Sequence, residues 1–169
     1  MRQDVHFRDL GIVEYGEAWQ IQEALLKAST SIKSRRVKGE TTEETEHHLL
    51  FCEHPPVYTL GKSGDEAHIL ISKEELSQRN IAYYPTNRGG DITFHGLGQV
   101  VGYPILDLEK YYTDIGKYLR SLEEVIILVY AIYKNSYSRF FFLIIIIIIV
   151  IIIRPRLCNS FYFKTYIYI

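Results

Sequence analysis

Acidic residues and glycines are confined to the first three quarters of the chain, and this boundary limits what the whole can fold into. All 20 Asp and Glu residues lie at or before Glu124, and all 11 glycines lie at or before Gly116, in a sequence of 169 residues. A soluble surface depends on charged residues, and tight turns depend on glycine. We therefore expect a folded domain over residues 1–128 and a hydrophobic tail over residues 129–169.

The charge divides at the same place. The first 124 residues hold 14 of the 19 basic side chains and all 20 acidic ones, a formal charge of −6, whereas the last 45 residues carry +5. An acidic domain without a basic stripe argues against a nucleic-acid partner, because phosphate binding needs clustered Lys and Arg. The basic run over residues 33–38 is expected to end a helix and to face solvent.

The two cysteines, Cys52 and Cys158, lie far apart in unrelated contexts. They provide neither a disulfide framework nor a pair at metal-ligand spacing, so no metal site is predicted. The N-terminal residues lack the apolar core that a signal peptide requires. Together these features predict a cytoplasmic protein with reduced thiols.

Hydrophobic periodicity predicts strands and helices that interleave along the chain. Strands are predicted at residues 5–10, 48–53, 57–60, 81–84 and 100–106. Helices are predicted at about residues 14–34, 73–80 and 114–129. Ser72 and Glu75 form a capping box at the start of the second helix. This pattern indicates an α/β (α+β) fold, in which a mixed sheet is flanked by helices.

The most informative segment is residues 88–98, in which four of eleven positions are glycine. Glycine permits positive φ and close backbone approach, so such a loop can bring several N–H donors to a ligand. The segment has neither the Gly-Lys-Ser/Thr ending of a Walker loop nor a dinucleotide-binding fingerprint. Its chemical groups are a cation, a carboxylate, a hydroxyl and an imidazole, from Arg88, Asp91, Thr93 and His95.

Alternation along this segment predicts two different faces. Thr93 and His95 are two residues apart, so on an extended backbone they share one face, and Ile92 and Phe94 share the other. This arrangement favours a polar site face over an apolar core face. The alternative is a glycine-rich hairpin in which His95 only hydrogen bonds to the backbone, and spacing alone does not decide between them.

Two ordered motifs resemble those of the lipoyl(octanoyl) transferase family. The first, residues 88–99, reads Arg-Gly-Gly, two residues, Thr-Phe-His, two residues, Gly-Gln, and Tyr103 follows it. Leu97 stands where the family usually has proline. The second, residues 53–62, reads Glu-His-Pro-Pro-Val-Tyr-Thr-Leu-Gly-Lys. The resemblance covers residues 5–128, so the N-terminal domain is identified as a partial octanoyltransferase.

The resemblance implies a biotin and lipoate protein ligase-like fold, incomplete at the C-terminus, with the acyl chain in a tunnel beneath the Arg-Gly-Gly loop. In that role the N–H groups of Gly89 and Gly90 and the Arg88 cation hold the carbonyl end, and Phe94 lines the chain. The substrate-binding residues implied are Arg88, Gly89, Gly90, Asp91, Ile92, Thr93, Phe94 and His95.

The resemblance also implies the reaction and its partners. An octanoyl group passes from octanoyl-acyl carrier protein to a lysine of lipoyl domains, those of 2-oxoacid dehydrogenase complexes and of the glycine cleavage H protein. Because the thioester is already activated, neither ATP nor any other cofactor is expected.

The family's cysteine nucleophile, and the lysine that lowers its pKa, lie downstream of the signature in a Pro-Cys-Gly turn and a Lys-Ile-Ala strand. This sequence carries neither segment. Cys158 is a candidate nucleophile only by its position near the end, and Cys52 is expected in the core. We therefore assign no catalytic residue and expect an inactive chain. One alternative is a domain that binds acyl groups or acyl carrier protein without turnover.

The tail has a different composition. From Tyr130 onward Ile, Tyr and Phe fill 23 of 40 positions, and residues 140–153 form an uninterrupted apolar run of 14 residues. This run is shorter than the roughly 20 apolar residues that span a bilayer. A membrane attachment is the alternative reading. We interpret the tail as translated low-complexity sequence after a frameshift or truncation, joined near residues 129–131.

Resequencing of the locus tests this interpretation. We expect a different reading frame just downstream of the join to encode the Lys-bearing strand and the Pro-Cys-Gly turn. A clean reading frame, together with full-length protein in cells, would contradict it.

Overall fold

The computed structural model describes residues 4–111 and 113–134. Residues 135–169, which include most of the predicted tail with Cys158 and the isoleucine run, lie outside the described residues. The last helix continues past residue 128, and the predicted domain boundary there stays a prediction.

In chain order the elements are β1 (His6–Ile12), α1 (Tyr15–Val37), β2 (His48–Glu53), β3 (Val57–Leu60), α2 (Lys73–Gln78), β4 (Ala82–Pro85), β5 (Ile92–His95), β6 (Val101–Ile105) and α3 (Ile115–Lys134). Single turns of 3-10 helix lie at Glu66–His68 and Leu108–Lys110.

The described strands form two three-stranded sheets, with the orders β1-β2-β6 and β4-β3-β5. In each sheet the central strand is parallel to one neighbour and antiparallel to the other. The mixed pairing with flanking helices confirms the predicted fold class, with the strands divided between two sheets. The division falls at Pro55 and Pro56, between β2 and β3, because proline lacks the N–H that a continuing strand would need.

Strand β1 extends beyond its predicted end. The predicted strand ends at residue 10, but β1 continues through Gly11, which has φ +63°, to Ile12. Its N–H donates to Asp9 Oδ1 at 2.9 Å, and the pairing with β2 shifts register between Asp9 and Ile12. Only glycine adopts this backbone conformation without a steric cost, so the strand absorbs a bulge there.

The main core lies between α1 and the β2-β6 side of the first sheet. Its buried members are Val13, Ala18, Leu50, Cys52, Val101 and Tyr103. Cys52 is 2% exposed, which confirms its predicted core position. Burial raises the pKa of its thiol to about 12, so the thiolate is almost absent at neutral pH.

The basic end of α1 pairs with acidic residues. Lys33 Nζ donates to Asp107 Oδ1 at 2.9 Å, and Arg36 Nη1 donates to Glu44 Oε2 at 3.0 Å. Asp107 is buried and also accepts from Thr45 Oγ1 at 2.9 Å. Burial alone would raise the pKa of Asp107, but these hydrogen bonds and the Lys33 charge lower it. The basic run therefore closes the helix end against an acidic loop.

The start of α2 has the predicted capping box. Glu75 N donates to Ser72 Oγ, and Ser72 N donates to Glu75 Oε2, both at 3.2 Å. The helix ends at Gln78, two residues before the predicted limit, where Asn80 adopts φ +52°. Among the described residues no helix is both long and apolar enough to cross a membrane.

Replacing Leu50 by alanine tests the location of the core. Leu50 is fully buried, so the Leu50→Ala variant should lose about 2–5 kcal/mol of unfolding free energy in urea denaturation. Leu70 is 94% exposed, and the matched Leu70→Ala variant should change stability by less than about 0.5 kcal/mol. Equal losses in the two variants would contradict this core.

Candidate functional site

The Arg88 guanidinium clamps the glycine-rich loop to strand β3. Its Nη2 lies 2.8 Å from Thr59 O, 3.0 Å from Thr59 Oγ1 and 2.7 Å from Asp91 O. Its Nη1 donates to Gly89 O at 3.0 Å. Thr59 is fully buried, so the clamp is anchored in the interior. Arg88 therefore uses most of its donors to shape the loop. The contact with the substrate that the resemblance implies for Arg88 stays a prediction.

Backbone hydrogen bonds continue the clamp beyond β3. Gly61 N donates to Asp91 O at 3.1 Å, and Lys62 N donates to Arg88 O at 2.9 Å. A Cβ on Gly61 would lie 2.3 Å from Gly90 O, which is closer than real Cβ contacts allow. The segment that follows β3 therefore packs directly against the loop, and only glycine fits at position 61.

Two loop donors stay open. Among the described residues none accepts a hydrogen bond from the N–H of Gly89 or Gly90, and Gly90 has φ +86°. By contrast Asp91 is engaged, because its Oδ2 lies 2.6 Å from His68 Nδ1 in the 3-10 turn Glu66–His68. The loop thus offers backbone N–H groups to a polar ligand and keeps its carboxylate turned to a partner within the chain.

The two faces of β5 are reversed relative to the expectation. Thr93 is 7% exposed and faces the interior, whereas Phe94 is 45% exposed and packs against Tyr58, with ring centroids 5.0 Å apart. The expected polar site face over an apolar core face is therefore wrong at these two positions. The alternation of side chains correctly places Thr93 and Phe94 on opposite faces of the strand, but it does not identify which face is buried.

His95, at the end of β5, lies in a cluster of aromatic and imidazole rings. Its ring stacks on Tyr15 at 6.2 Å between centroids and meets the edge of His54 at 5.8 Å. Its Nδ1 lies 2.6 Å from Gln99 Oε1. Burial lowers the pKa of His95 to about 4, since the hydrogen bond to Gln99 only partly opposes it and His54 and Arg88 add to the lowering. His95 is consequently neutral at physiological pH.

His54 is a fixed interior group. It is fully buried, with Nδ1 2.8 Å from Val13 O and Nε2 2.7 Å from Tyr103 Oη. A carbonyl oxygen only accepts, so Nδ1 carries the proton and Nε2 accepts from the Tyr103 hydroxyl. Burial also lowers the pKa of His54, and the ring is held neutral. His54 therefore packs against His95 as a fixed side chain of the interior.

Tyr15 connects the helix to this cluster. It is the first residue of α1 and contacts His54, His95 and Tyr84, whose ring centroid lies 5.1 Å away. Burial raises the pKa of Tyr15 to about 12, partly opposed by the Arg88 charge. Gly16 gives Tyr84 room, since a Cβ there would lie 2.8 Å from the Tyr84 hydroxyl.

Sequence reasoning missed several residues of this site. Thr59, His54 and Glu53 fall inside the motif at residues 53–62, which signals them, but they were not named as site residues. Tyr15 carried no signal beyond its place at a helix start. Within the described residues, His, Cys, Asp and Glu side chains form no group of three that could hold a metal ion.

A conservative change at Arg88 tests the clamp. Lysine keeps the charge but not the planar fork, so Arg88→Lys should lose at least about 1.5 kcal/mol of charge-assisted hydrogen bonding. Amide hydrogen exchange at Gly61 and Lys62 should then accelerate about tenfold or more. Arg79→Lys, at an exposed pair with Glu75, is the matched control and should leave both amides unchanged. Unaltered exchange in Arg88→Lys would refute the clamp.

Comparison with known proteins places this geometry in a family. Residues 14–139 match the family described as the lipoyl protein ligase A/B catalytic domain. A curated octanoyltransferase of Christiangramia forsetii is 51% identical over 133 residues, covering 79% of this chain and 57% of the relative. The octanoyltransferase of Flavobacterium psychrophilum is 48% identical over 139 residues, covering 82% of this chain and 60% of the relative. The chain thus matches about three fifths of the length of these relatives.

Solved structures are more distant. A bipartite lipoate protein ligase of Thermoplasma acidophilum has a TM-score of 0.49 at 15% identity, over 79% of this chain and 47% of that one. A lipoate-protein ligase A bound with ATP has a TM-score of 0.47 at 15% identity, over 79% of this chain and 48% of that one.

Proposed function

Because the chain belongs to the family of lipoyl protein ligase A/B catalytic domains, we propose that it carries the acyl-binding part of an octanoyltransferase. The observation that carries the proposal is the clamped loop. Arg88 fixes the backbone of residues 88–91 against Thr59 and leaves the N–H groups of Gly89 and Gly90 open. The Arg88 charge also helps to lower the pKa of His95, a half-buried imidazole at the end of β5.

In the proposed reaction, a thiolate attacks the thioester carbonyl of octanoyl-acyl carrier protein, and the carrier's sulfur leaves as a thiolate that takes up a proton from water. The lysine amine of a lipoyl domain then attacks the new thioester, forms an amide and returns the enzyme thiol. Both steps place negative charge on the carbonyl oxygen. The Gly89 and Gly90 N–H groups would stabilise that charge, because backbone donors held in place need no reorganisation.

The acyl chain itself needs an apolar surface next to these donors. Phe94 packs on Tyr58 and leaves 45% of its surface exposed, so β5, the strand that follows the loop, offers an aromatic surface to an acyl chain. Ile92 is half-buried on the same face of β5. This apolar surface supports an acyl group as the bound substrate.

The 169-residue chain is proposed to bind the acyl substrate without turnover. Cys52 is buried, and the pKa of its thiol is raised to about 12, so it supplies no usable thiolate. Cys158 lies outside the described residues. The Pro-Cys-Gly and Lys-bearing segments of the family are missing from the sequence. A cytosolic location and lipoyl-domain acceptors belong to the same proposal.

A chimera tests the proposal without depending on the tail. Residues 1–134 of this chain are joined to the part of the Christiangramia forsetii octanoyltransferase that follows its matched region. We expect this chimera to transfer octanoate from acyl carrier protein to a lipoyl domain within about tenfold of the relative's rate, or about 1.4 kcal/mol of barrier. The unmodified chain should give no transfer.

The controls separate the remaining outcomes. Replacing the supplied cysteine by serine should abolish transfer by the chimera. A folded but inactive chimera would refute the proposed acyl-binding role in transfer, and binding of octanoyl-acyl carrier protein by the unmodified chain would then favour a non-catalytic binding domain. Transfer by the unmodified chain would refute its inactivity, and Cys158→Ser would show whether the tail supplies the thiol.

A further inference from the structure

The hydrogen bond between His95 and Gln99 joins an imidazole nitrogen to an amide oxygen. Gln99 Oε1, which accepts and does not donate, lies 2.6 Å from His95 Nδ1. With the amide oxygen on this side, Nδ1 carries the proton. The opposite tautomer would require the Gln99 amide to turn over and present its NH2 group.

Gln99 is itself held in place by the turn that precedes it. Gln99 N donates to Gly96 O at 3.2 Å, and Gly98 N donates to Glu53 Oε2 at 2.6 Å. Gly98 has φ +84°, so the turn needs glycine there. Because Glu53 ends β2, the turn that carries Gln99 is tied to the first sheet, while His95 belongs to the second.

We infer that Gln99 is a positioning residue, which holds His95 in the Nδ1–H tautomer and so presents Nε2 as a hydrogen-bond acceptor. Among the described residues no group donates to His95 Nε2. An acceptor at this nitrogen suits the N–H of an incoming amine or the S–H of a thiol. That use in catalysis rests on the proposed acyl transfer, whereas the tautomer does not.

The surroundings of His95 prevent a competing charge state. The ionisable groups that face its ring are Tyr15 from α1, His54 from the turn between the sheets, and Arg88 from the clamped loop. Glu53 faces the neighbouring turn. Burial opposes the protonation of His95 most strongly, and the Arg88 charge adds to it. Burial also raises the pKa of Tyr15 to about 12, so its hydroxyl is neutral. The partner of Nδ1 therefore decides between two neutral forms.

Nuclear magnetic resonance of the full chain tests the inference directly. Long-range proton–nitrogen spectra distinguish the two neutral tautomers for each of the six histidines. The His95 signals are assigned by their loss in His95→Gln. We expect the Nδ1–H tautomer for His95 and a titration midpoint below pH 5. The Nε2–H tautomer in the wild-type chain would overturn the inference.

Two variants of Gln99 sharpen the test. In Gln99→Glu the amide becomes a carboxylate that stabilises the imidazolium, so the His95 midpoint should rise by about one to two pH units. In Gln99→Leu the acceptor is lost, and a mixture of tautomers should appear. Gln78→Glu adds the same charge on the exposed surface of α2 and should leave the midpoint unchanged. An unchanged midpoint in Gln99→Glu would overturn the inference.

Internal and functional controls keep the results separable. His54, bonded to Val13 O and Tyr103, should keep its own Nδ1–H signature in every variant, which reports that the core is folded. In the chimera, Gln99→Glu should move the acidic limb of the transfer rate to higher pH by the same one to two units. A chimera without activity refutes the proposed function, while the spectra still decide the tautomer.

Discussion

The bond between the Arg88 guanidinium and Thr59 is the constraint on which the site depends. The buried hydroxyl and carbonyl oxygens of Thr59 accept hydrogen bonds from the guanidinium, and the carbonyl oxygens of Gly89 and Asp91 in the loop accept others. A glycine-rich loop has many accessible conformations, and fixing it costs more entropy than fixing any other sequence. A planar cation with several donors in fixed directions selects one of those conformations. The open N–H groups follow from that selection.

The two sheets meet at a group of rings, and this arrangement determines the electrostatics. Tyr15, His54, Tyr84 and His95 come from four different parts of the chain. Burial raises the pKa of Tyr15 and lowers the pKa of both imidazoles, so it disfavours the charged form of all three. A single charged side chain in this position would need a partner of opposite charge, or it would become neutral by gaining or losing a proton. The ring cluster thus places a surface of low polarity next to the Arg88 guanidinium, most of whose donors are already bonded within the chain.

Local sequence signals predicted local structure well. The bounds of β2 and β3, and the capping box at Ser72, match because alternation, proline and a side chain three residues away are sufficient to define them. The site depended on contacts between distant residues. The partner of Arg88 lies 29 positions earlier, and no pattern near Arg88 indicates it. For the same reason Thr93 and Phe94 were assigned to the wrong sides of β5, since the covering elements decide which face is inside.

The raised pKa of Cys52 has a consequence for chemical selectivity. At pH 7 a thiol with a pKa of about 12 is ionised in only about one molecule in 100,000. Thioesters, disulfides and oxidants react with the thiolate, so Cys52 is silent towards all of them while the core is folded. An acyl group bound as proposed above would therefore meet no competing thiol from the core. Labelling of Cys52 by an electrophile would instead report that the core has opened.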